Sequence, residues 1–275
     1  DKMSLFSDMV VFSSYAMQVI MAFMMLTITM MILPRAMVSA KRVNEVLSTK
    51  NHIMDGINDG DTSEKGTIEF KNVSFHYPDA KDNILENISF QAKQGETVAF
   101  IGSTGSGKTT LINLIPRFYD VSAGEVFVDG RNVKEYSEKV LHDKIGYAPQ
   151  KATLFSGTVA SNVSYSMDDC QEDLLENALE VSQSYEFVNE MDGKSEASIS
   201  QGGTNVSGGQ KQRLSIARAI YKHPEILIFD DSFSALDYRT DNVLRSALKK
   251  EAKGVTKLIV AQRIGTIKDA DRIVV

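Results

Sequence analysis

The chain carries Gly102-Ser103-Thr104-Gly105-Ser106-Gly107-Lys108-Thr109-Thr110 directly after the apolar run Val98-Ala99-Phe100-Ile101. This fits the G-x-x-x-x-G-K-[ST] pattern of a phosphate-binding loop. A buried strand, a glycine-rich turn and a helix opening at Lys108 aim backbone N–H groups at one concavity, which suits a polyanion. Gly102, Gly105 and Gly107 let the backbone approach that anion closely, because no Cβ intervenes. Lys108 reaches toward β- and γ-phosphates as a point charge, and Thr109 offers its hydroxyl to Mg²⁺. A surface Gly/Ser turn beside a chance lysine is the competing explanation. Strand, spacing and Lys-Thr pair together argue against it.

Two further stretches supply chemistry. Ile226-Leu227-Ile228-Phe229 closes on Asp230 and Asp231. A buried parallel strand presents its C-terminal end to a ligand crevice, so Asp230 can hold Mg²⁺ directly or through water. Val206-Ser207-Gly208-Gly209-Gln210 sets an N-cap and close-approach glycines at the start of a helix running to Tyr221, with Leu214, Ala217, Ile220 and Tyr221 near one face. That makes a second anion-binding helix start in one chain. One nucleotide needs only one, so the economical reading gives the second to a nucleotide held by a partner subunit. An ordinary Gly-punctuated helix start is the alternative.

The elements that must position these groups follow from periodicity. Residues 67–75 alternate as a strand with one buried face, and 84–90 read as its antiparallel companion. Tyr77 lies between them at a Tyr-Pro turn, where it could stack on a nucleotide base or simply pack at a strand end. Residues 125–130, 145–150, 257–262 and 272–275 read as further strands, the second running to Gln150. Residues 111–115 continue a helix that Pro116 ends or distorts. From 171 to 189 helical spacing dominates through Leu174, Leu175, Ala178, Leu179 and Val181, a helical subdomain inserted into an α/β body. Alternating strands and helices predict a parallel sheet with right-handed crossovers.

Upstream of this body, residues 9–33 contain no charge, and as a helix they cover roughly 37 Å against a hydrocarbon core of about 30 Å. Seven methionines lie in the stretch, with no amphipathic stripe to mark a half-exposed soluble helix. A signal peptide would be shorter and preceded by positive charge, whereas Asp8 stands just before it. A transmembrane helix is the expectation. Arg35, Lys41 and Arg42 follow, placing its C-terminal end and all beyond in the cytoplasm. Pro34 is a candidate kink at the exit. Val38, Val43, Val46 and Leu47 among charges continue the helix into water. This divides the chain into a membrane helix with its extension (1–47), a polar linker (48–66) and an α/β domain (67–275).

Bulk composition excludes some classes. Thirty basic against 36 acidic residues give a net charge of −6, without the basic patch of a nucleic-acid binder. The single cysteine, Cys170, rules out an internal disulfide and fits a reducing compartment. The chain starts at Asp1 and stops inside an expected strand, so it reads as a fragment of a longer polypeptide.

Taken together, these pieces resemble the nucleotide-binding domain of an ATP-binding-cassette (ABC) exporter, over essentially the whole chain. Gly102 to Thr109 matches the Walker A loop, Gln150 the Q-loop glutamine, and Ser207-Gly208-Gly209-Gln210 the signature motif, with Val206 where leucine is more usual. Ile226 to Asp230 matches Walker B, Ser234-Ala235-Leu236-Asp237 the D-loop, and Tyr77 the base-stacking aromatic. The resemblance implies a P-loop α/β cassette: a parallel sheet core, an antiparallel β subdomain and an inserted helical subdomain, preceded by the last helix of an all-α membrane domain. It implies ATP bound by Tyr77, Gly102 to Thr110 and Gln150, Mg²⁺ on Thr109, Gln150 and Asp230, and catalytic positions at Lys108, Asp231 and Gln262. Two cassettes would sandwich two ATP molecules head to tail, each between one Walker A and the other chain's Ser207 to Gln210.

Two departures set the finer expectation. The family's Walker B ends in Asp-Glu, the glutamate polarising the attacking water, but here Asp231 stands in its place. One methylene less draws the carboxylate back by about 1.5 Å. The family's switch histidine falls on Gln262, whose amide cannot gain a proton. Because Lys108, Thr109 and Asp230 are intact, the pattern reads as a degenerate site that binds ATP and turns it over slowly. Gln201 and Gly202 also stand where similar exporters carry Glu-Arg, consistent with asymmetric pairing. The expected protein is one half of a heterodimeric exporter working at a membrane with a second half-transporter; a homodimeric ATPase and a nucleotide-gated regulatory module are the alternatives. The cargo, whether drug, lipid or peptide, stays open.

Overall fold

The computed structural model describes residues 2–57, 62, 64–78, 80–165, 167 and 169–275. The chain divides into two compact units after His52. The expected linker straddles this division, and its residues 58–61 and 63 lie outside the described residues.

The first unit is α1 (Lys2–Leu47), a 46-residue helix that continues through Pro34. None of its residues is buried, and its charge-free stretch between residues 9 and 33 makes it long and apolar enough to cross a membrane. Thr27 and Thr29 donate their hydroxyls to Phe23 O (2.9 Å) and Met25 O (2.8 Å) one turn back. Both polar groups are thereby satisfied within the helix, as a hydrocarbon surrounding would require.

The second unit holds the strands β1 (Ile68–Phe75), β2 (Leu85–Ala92), β3 (Thr97–Phe100), β4 (Ala123–Val128), β5 (Arg131–Asn132), β6 (Ile145–Ala148), β7 (Gly157–Thr158), β8 (Ser198–Ile199), β9 (Ile226–Asp230), β10 (Thr256–Val260) and β11 (Arg272–Val274). Its helices are α2 (Lys108–Asn113), α3 (Glu138–Lys144), α4 (Val159–Val163), α5 (Glu172–Val181), α6 (Tyr185–Glu190), α7 (Gly208–Tyr221), α8 (Tyr238–Glu251) and α9 (Ile264–Ile267). A parallel sheet runs in the order β11-β3-β10-β9-β6. Every residue of β9 and β10 is buried, which is why both read as unbroken apolar runs.

Alternation along these strands serves two cores. Ile226, Ile228, Leu258 and Val260 face a core shared with Leu111 and Ile112 of α2 and with the antiparallel sheet. Leu227, Phe229 and Ile259 face the other way, onto Ile216 and Ile220 of α7 and Leu244 and Leu248 of α8. The antiparallel sheet, ordered β2-β1-β4-β5, buries Ile68, Phe70, Val73 and Phe75 in the first core. A third core gathers α4 to α7 around Leu175, Leu179, Phe187 and Leu214.

Two expected helices differ in extent. The stretch 171–189 is two helices, broken at Gln183 with φ +60°. Ser182 and Ser184 are buried at the break and bond to each other at 2.8 Å. The helix from Lys108 ends at Asn113, three residues before Pro116, and 3₁₀-type bonds from Leu114 and Ile115 tighten its exit.

Register brings the chemistry to one edge. Val260 lies opposite both Phe100 and Asp230. The loop after β3, the end of β9 and the segment after β10 therefore leave the sheet side by side at its carboxyl edge.

Candidate functional site

A cavity of about 310 Å³ opens at that edge, lined by Thr104 to Thr110, Ile84, Gln150, Asp230, Asp231, Val260 and Gln262. A larger cavity of about 480 Å³ lies under α8, walled by Arg245, Lys249 and Lys257. Of the motif residues only Phe229, whose side chain faces away from Asp230, borders it, so the smaller one is the candidate site.

The loop is built to be close. A Cβ on Gly102 would sit 2.9 Å from Ser106 Oγ, and one on Gly107, at φ +87°, would sit 2.9 Å from Leu85. Only glycine fits at Gly107 on both counts. Lys108 Nζ donates to Gly102 O (2.9 Å), Ser103 O (2.7 Å) and Ser106 Oγ (3.1 Å). Its ammonium is thus held inside the curve of the loop, where an entering polyanion would meet it.

Asp230 ends β9 with its carboxylate buried, and Thr109 Oγ1 donates to its Oδ1 at 2.9 Å. Burial holds the carboxyl pKa above its ordinary value; the Thr109 and Tyr147 hydroxyls oppose that rise, while the charge of Asp231 adds to it. Tyr147 donates to Asn113 Oδ1 at 2.8 Å, and burial, then the Asp230 charge, raise its pKa strongly. A hydroxyl and a carboxylate 2.9 Å apart beside a phosphate-type loop form an oxygen donor set suited to Mg²⁺, which takes few protein ligands and completes its shell with phosphates and water. Among the described residues no group of three or more His, Cys, Asp or Glu gathers as a softer metal cage would need.

Asp231 is also buried, with φ +46°. Its backbone is pinned: its N–H donates to Val260 O (2.9 Å), and its carbonyl accepts from Ser234 N (3.1 Å) and Ser234 Oγ (2.7 Å). Its Oδ2 accepts from Gln262 Nε2 at 3.2 Å and, at the long limit, from Gln150 Nε2 at 3.5 Å. The structure therefore brings Gln150, Asp231 and Gln262 into one cluster.

Other expected site residues lie apart. Ser207 to Gln210 do not line the cavity; they cap α7, with Gln210 N donating to Ser207 Oγ (3.3 Å) and Ser207 N donating to Gln210 Oε1 (2.9 Å). Ser207 and Gly208 are exposed, and a Cβ on Gly208 would meet nothing. Tyr77 is half-buried, edge-on to Phe75 and Tyr119, with its hydroxyl 3.1 Å from Thr110 Oγ1. Asp237 caps α8 through Arg239 N and Thr240 N, and those bonds with the Thr240 hydroxyl depress its pKa. Sequence reasoning missed Tyr147 and Asn113. The available signal was a tyrosine in an otherwise apolar strand, since a buried phenol needs a partner.

Comparison with known proteins identifies the family. A family model described as ABC transporter matches residues 85–234. An uncharacterized ABC transporter ATP-binding protein of Mycobacterium tuberculosis is 44% identical over 276 residues, covering 98% of this chain and 47% of that protein. Multidrug resistance protein 1 of Entamoeba histolytica is 37% identical over 247 residues, covering 88% of this chain and 19% of that protein. A bacterial Atm1-family ABC exporter solved with ATP bound matches with a TM-score of 0.80 at 30% identity, over 88% of this chain and 42% of that one. The second unit has the α/β fold of an ABC nucleotide-binding domain. The chain belongs to the ABC transporter family, whose cassettes bind ATP, and it spans about half the length of its mycobacterial relative.

Proposed function

We propose that this chain is the ATP-binding half of an ABC exporter, and that its own nucleotide site is a degenerate one that holds ATP without cutting it efficiently. The carrying observation is the hydrogen bond from Gln262 to Asp231. A carboxylate oxygen has two lone pairs, and the amides of Gln262 and Gln150 both address Oδ2. Only Oδ1 is left to orient water, on a side chain one methylene shorter than glutamate. Losing a positioned base costs about 10²–10⁴ in rate.

The binding half of the site is complete. Lys108 exchanges its contacts with Gly102 O and Ser103 O for phosphate oxygens, and the backbone from Gly105 to Thr109 wraps the anion. Thr109 and Asp230, with Gln150 beside them, would hold Mg²⁺, which supplies neutralisation of phosphate charge. Tyr77 borders the base position. Ser207 to Gln210, exposed at Ser207 and Gly208 and away from this chain's own cavity, would close over an ATP held by a partner cassette. The Atm1-family exporter with ATP bound supports the nucleotide assignment, and the multidrug resistance relative supports export. Residues 1–47 act as a membrane helix with its cytoplasmic extension, 48–66 as a linker and 67–275 as the cytoplasmic cassette.

The test is ATPase stoichiometry. The purified full-length chain binds ATP but releases phosphate slowly, and adding a second half-transporter with an intact glutamate and histidine raises turnover sharply. Brisk turnover and transport by an assembly of this subunit alone would instead establish a homodimeric exporter.

A further inference from the structure

We infer that Gln212 is a positioning residue for Gln150, and through it sets the affinity of this site for a divalent cation. The inference rests on the reading of Gln150 as one of the groups that hold that cation.

Gln150 follows the last residue of β6 by two positions and lines the cavity. Both residues before it are held. Ser232, wholly buried and directly after Asp231, donates its hydroxyl to Ala148 O at 2.6 Å. Pro149 has φ fixed by its ring, so the course of the chain beyond it turns on ψ alone. Gln212, on α7 and 3% exposed, donates Nε2 to Pro149 O at 2.9 Å. That carbonyl shares one rigid peptide plane with the Gln150 N–H. Holding the oxygen therefore fixes ψ of Pro149, and with it the direction in which Gln150 leaves the strand.

The two anchors differ in what they tie down. Ser232 belongs to the same segment as Asp231, so its bond joins the ends of β6 and β9. Gln212 stands 63 residues from Pro149 in sequence and brings α7 to the peptide itself. A carbonyl that loses this donor must turn toward water or another N–H, and Gln150 turns with it. The Gln150 side chain addresses Asp231 through Nε2, 3.5 Å from Oδ2, which leaves Oε1 as the oxygen a cation could take. A ligand whose backbone is fixed in advance needs little reorganisation on meeting a cation.

The test is a double-mutant cycle on Mn²⁺ affinity, read by EPR on the purified chain with ATP present, beside ATP binding in EDTA. Gln212→Met keeps the length of the side chain and loses the donor. It lowers Mn²⁺ affinity about 3- to 10-fold, less than the roughly 10–100-fold of a partner bonded to a ligand directly, because it acts through one peptide. Gln150→Ala lowers it at least as far, and Gln150→Ala with Gln212→Met lowers it no further than Gln150→Ala alone. Ile216→Val, a loosening of α7 at a buried position one turn beyond Gln212, stays within about twofold of the parent. Additive losses in the double variant would make Gln212 a packing residue and overturn the proposal. So would parent-like Mn²⁺ binding by Gln212→Met, an equal loss in Ile216→Val, or loss of ATP binding in EDTA by Gln212→Met. If Gln150→Ala itself binds Mn²⁺ like the parent, the reading of Gln150 fails first.

Discussion

Gln262 Nε2 donates to Asp231 Oδ2 at 3.2 Å, across the ends of two neighbouring parallel strands. On the proposed reading the pair stands at the two positions expected to activate water, and here the two side chains bond each other. Replacing one alone leaves the other in the wrong chemistry. Asp231→Glu should therefore raise single-site phosphate release only modestly, while Asp231→Glu with Gln262→His should raise it at least tenfold, toward the 10²–10⁴ of a working base. Asp231 also has φ +46°, a region that aspartate tolerates better than longer side chains. The glutamate variants should thus melt slightly earlier, and turnover is to be compared at a temperature where all are folded.

Lys108 makes three hydrogen bonds to the loop that surrounds it. The same ammonium is the one cation aimed into the cavity from α2. Hydrogen bonds to charged groups contribute about 1.5–3 kcal/mol, so Lys108→Ala should weaken ATP binding roughly 10- to 150-fold. Fluorescent nucleotide titration measures this; affinity within twofold of the parent would show that the backbone alone holds the phosphates.

These features were legible in the sequence because local pattern specifies them. The loop from Gly102 to Thr109 needs glycine where a Cβ would clash or where φ is positive, and Ser207 reads as an N-cap, to which the fold adds the return bond from Gln210. The break between α5 and α6 was not legible. Helical periodicity carries no mark at Gln183, where the backbone turns to φ +60° beside the buried Ser182–Ser184 contact. The partnership of Tyr147 with Asn113 was hidden for a similar reason: the residues are 34 apart in sequence and meet only once the sheet order is known.

Lys144 joins three elements, bonding Asp129 Oδ2 at 2.8 Å and Glu225 Oε2 at 3.2 Å. Burial alone would lower its pKa, but the bonds to and charges of Asp129 and Glu225 outweigh it and hold the ammonium above its ordinary 10.5. A folded-state pKa raised above the unfolded one gives stability that is fully present below about pH 10.5 and lost as pH climbs through the folded value. The Asp129 side chain is completely buried, so Lys144→Ala leaves a buried carboxylate without its cation, at about 3–5 kcal/mol. Denaturant unfolding near pH 8 should show that deficit, and the gap from the parent should narrow at about pH 11 as the parent's lysine loses its proton. A constant gap would mean that lost packing, rather than lost charge, is responsible.

Ser207 separates a local role from a proposed remote one. Its hydroxyl caps α7 by accepting from Gln210 N, so Ser207→Ala should cost about 0.5–2 kcal/mol of stability whatever the partner does. A loss of turnover in that variant would therefore be ambiguous. Aspartate caps a helix as well as serine does, so Ser207→Asp keeps α7 and the fold. The added charge would stand beside the phosphates of a nucleotide held across the interface, where like charges repel. Ser207→Asp should melt close to the parent, keep ATP binding at this chain's own Lys108 site, and abolish most of the turnover gained on adding a partner cassette. If partner-stimulated turnover survives in Ser207→Asp, the second glycine-rich helix start is a helix cap and nothing more.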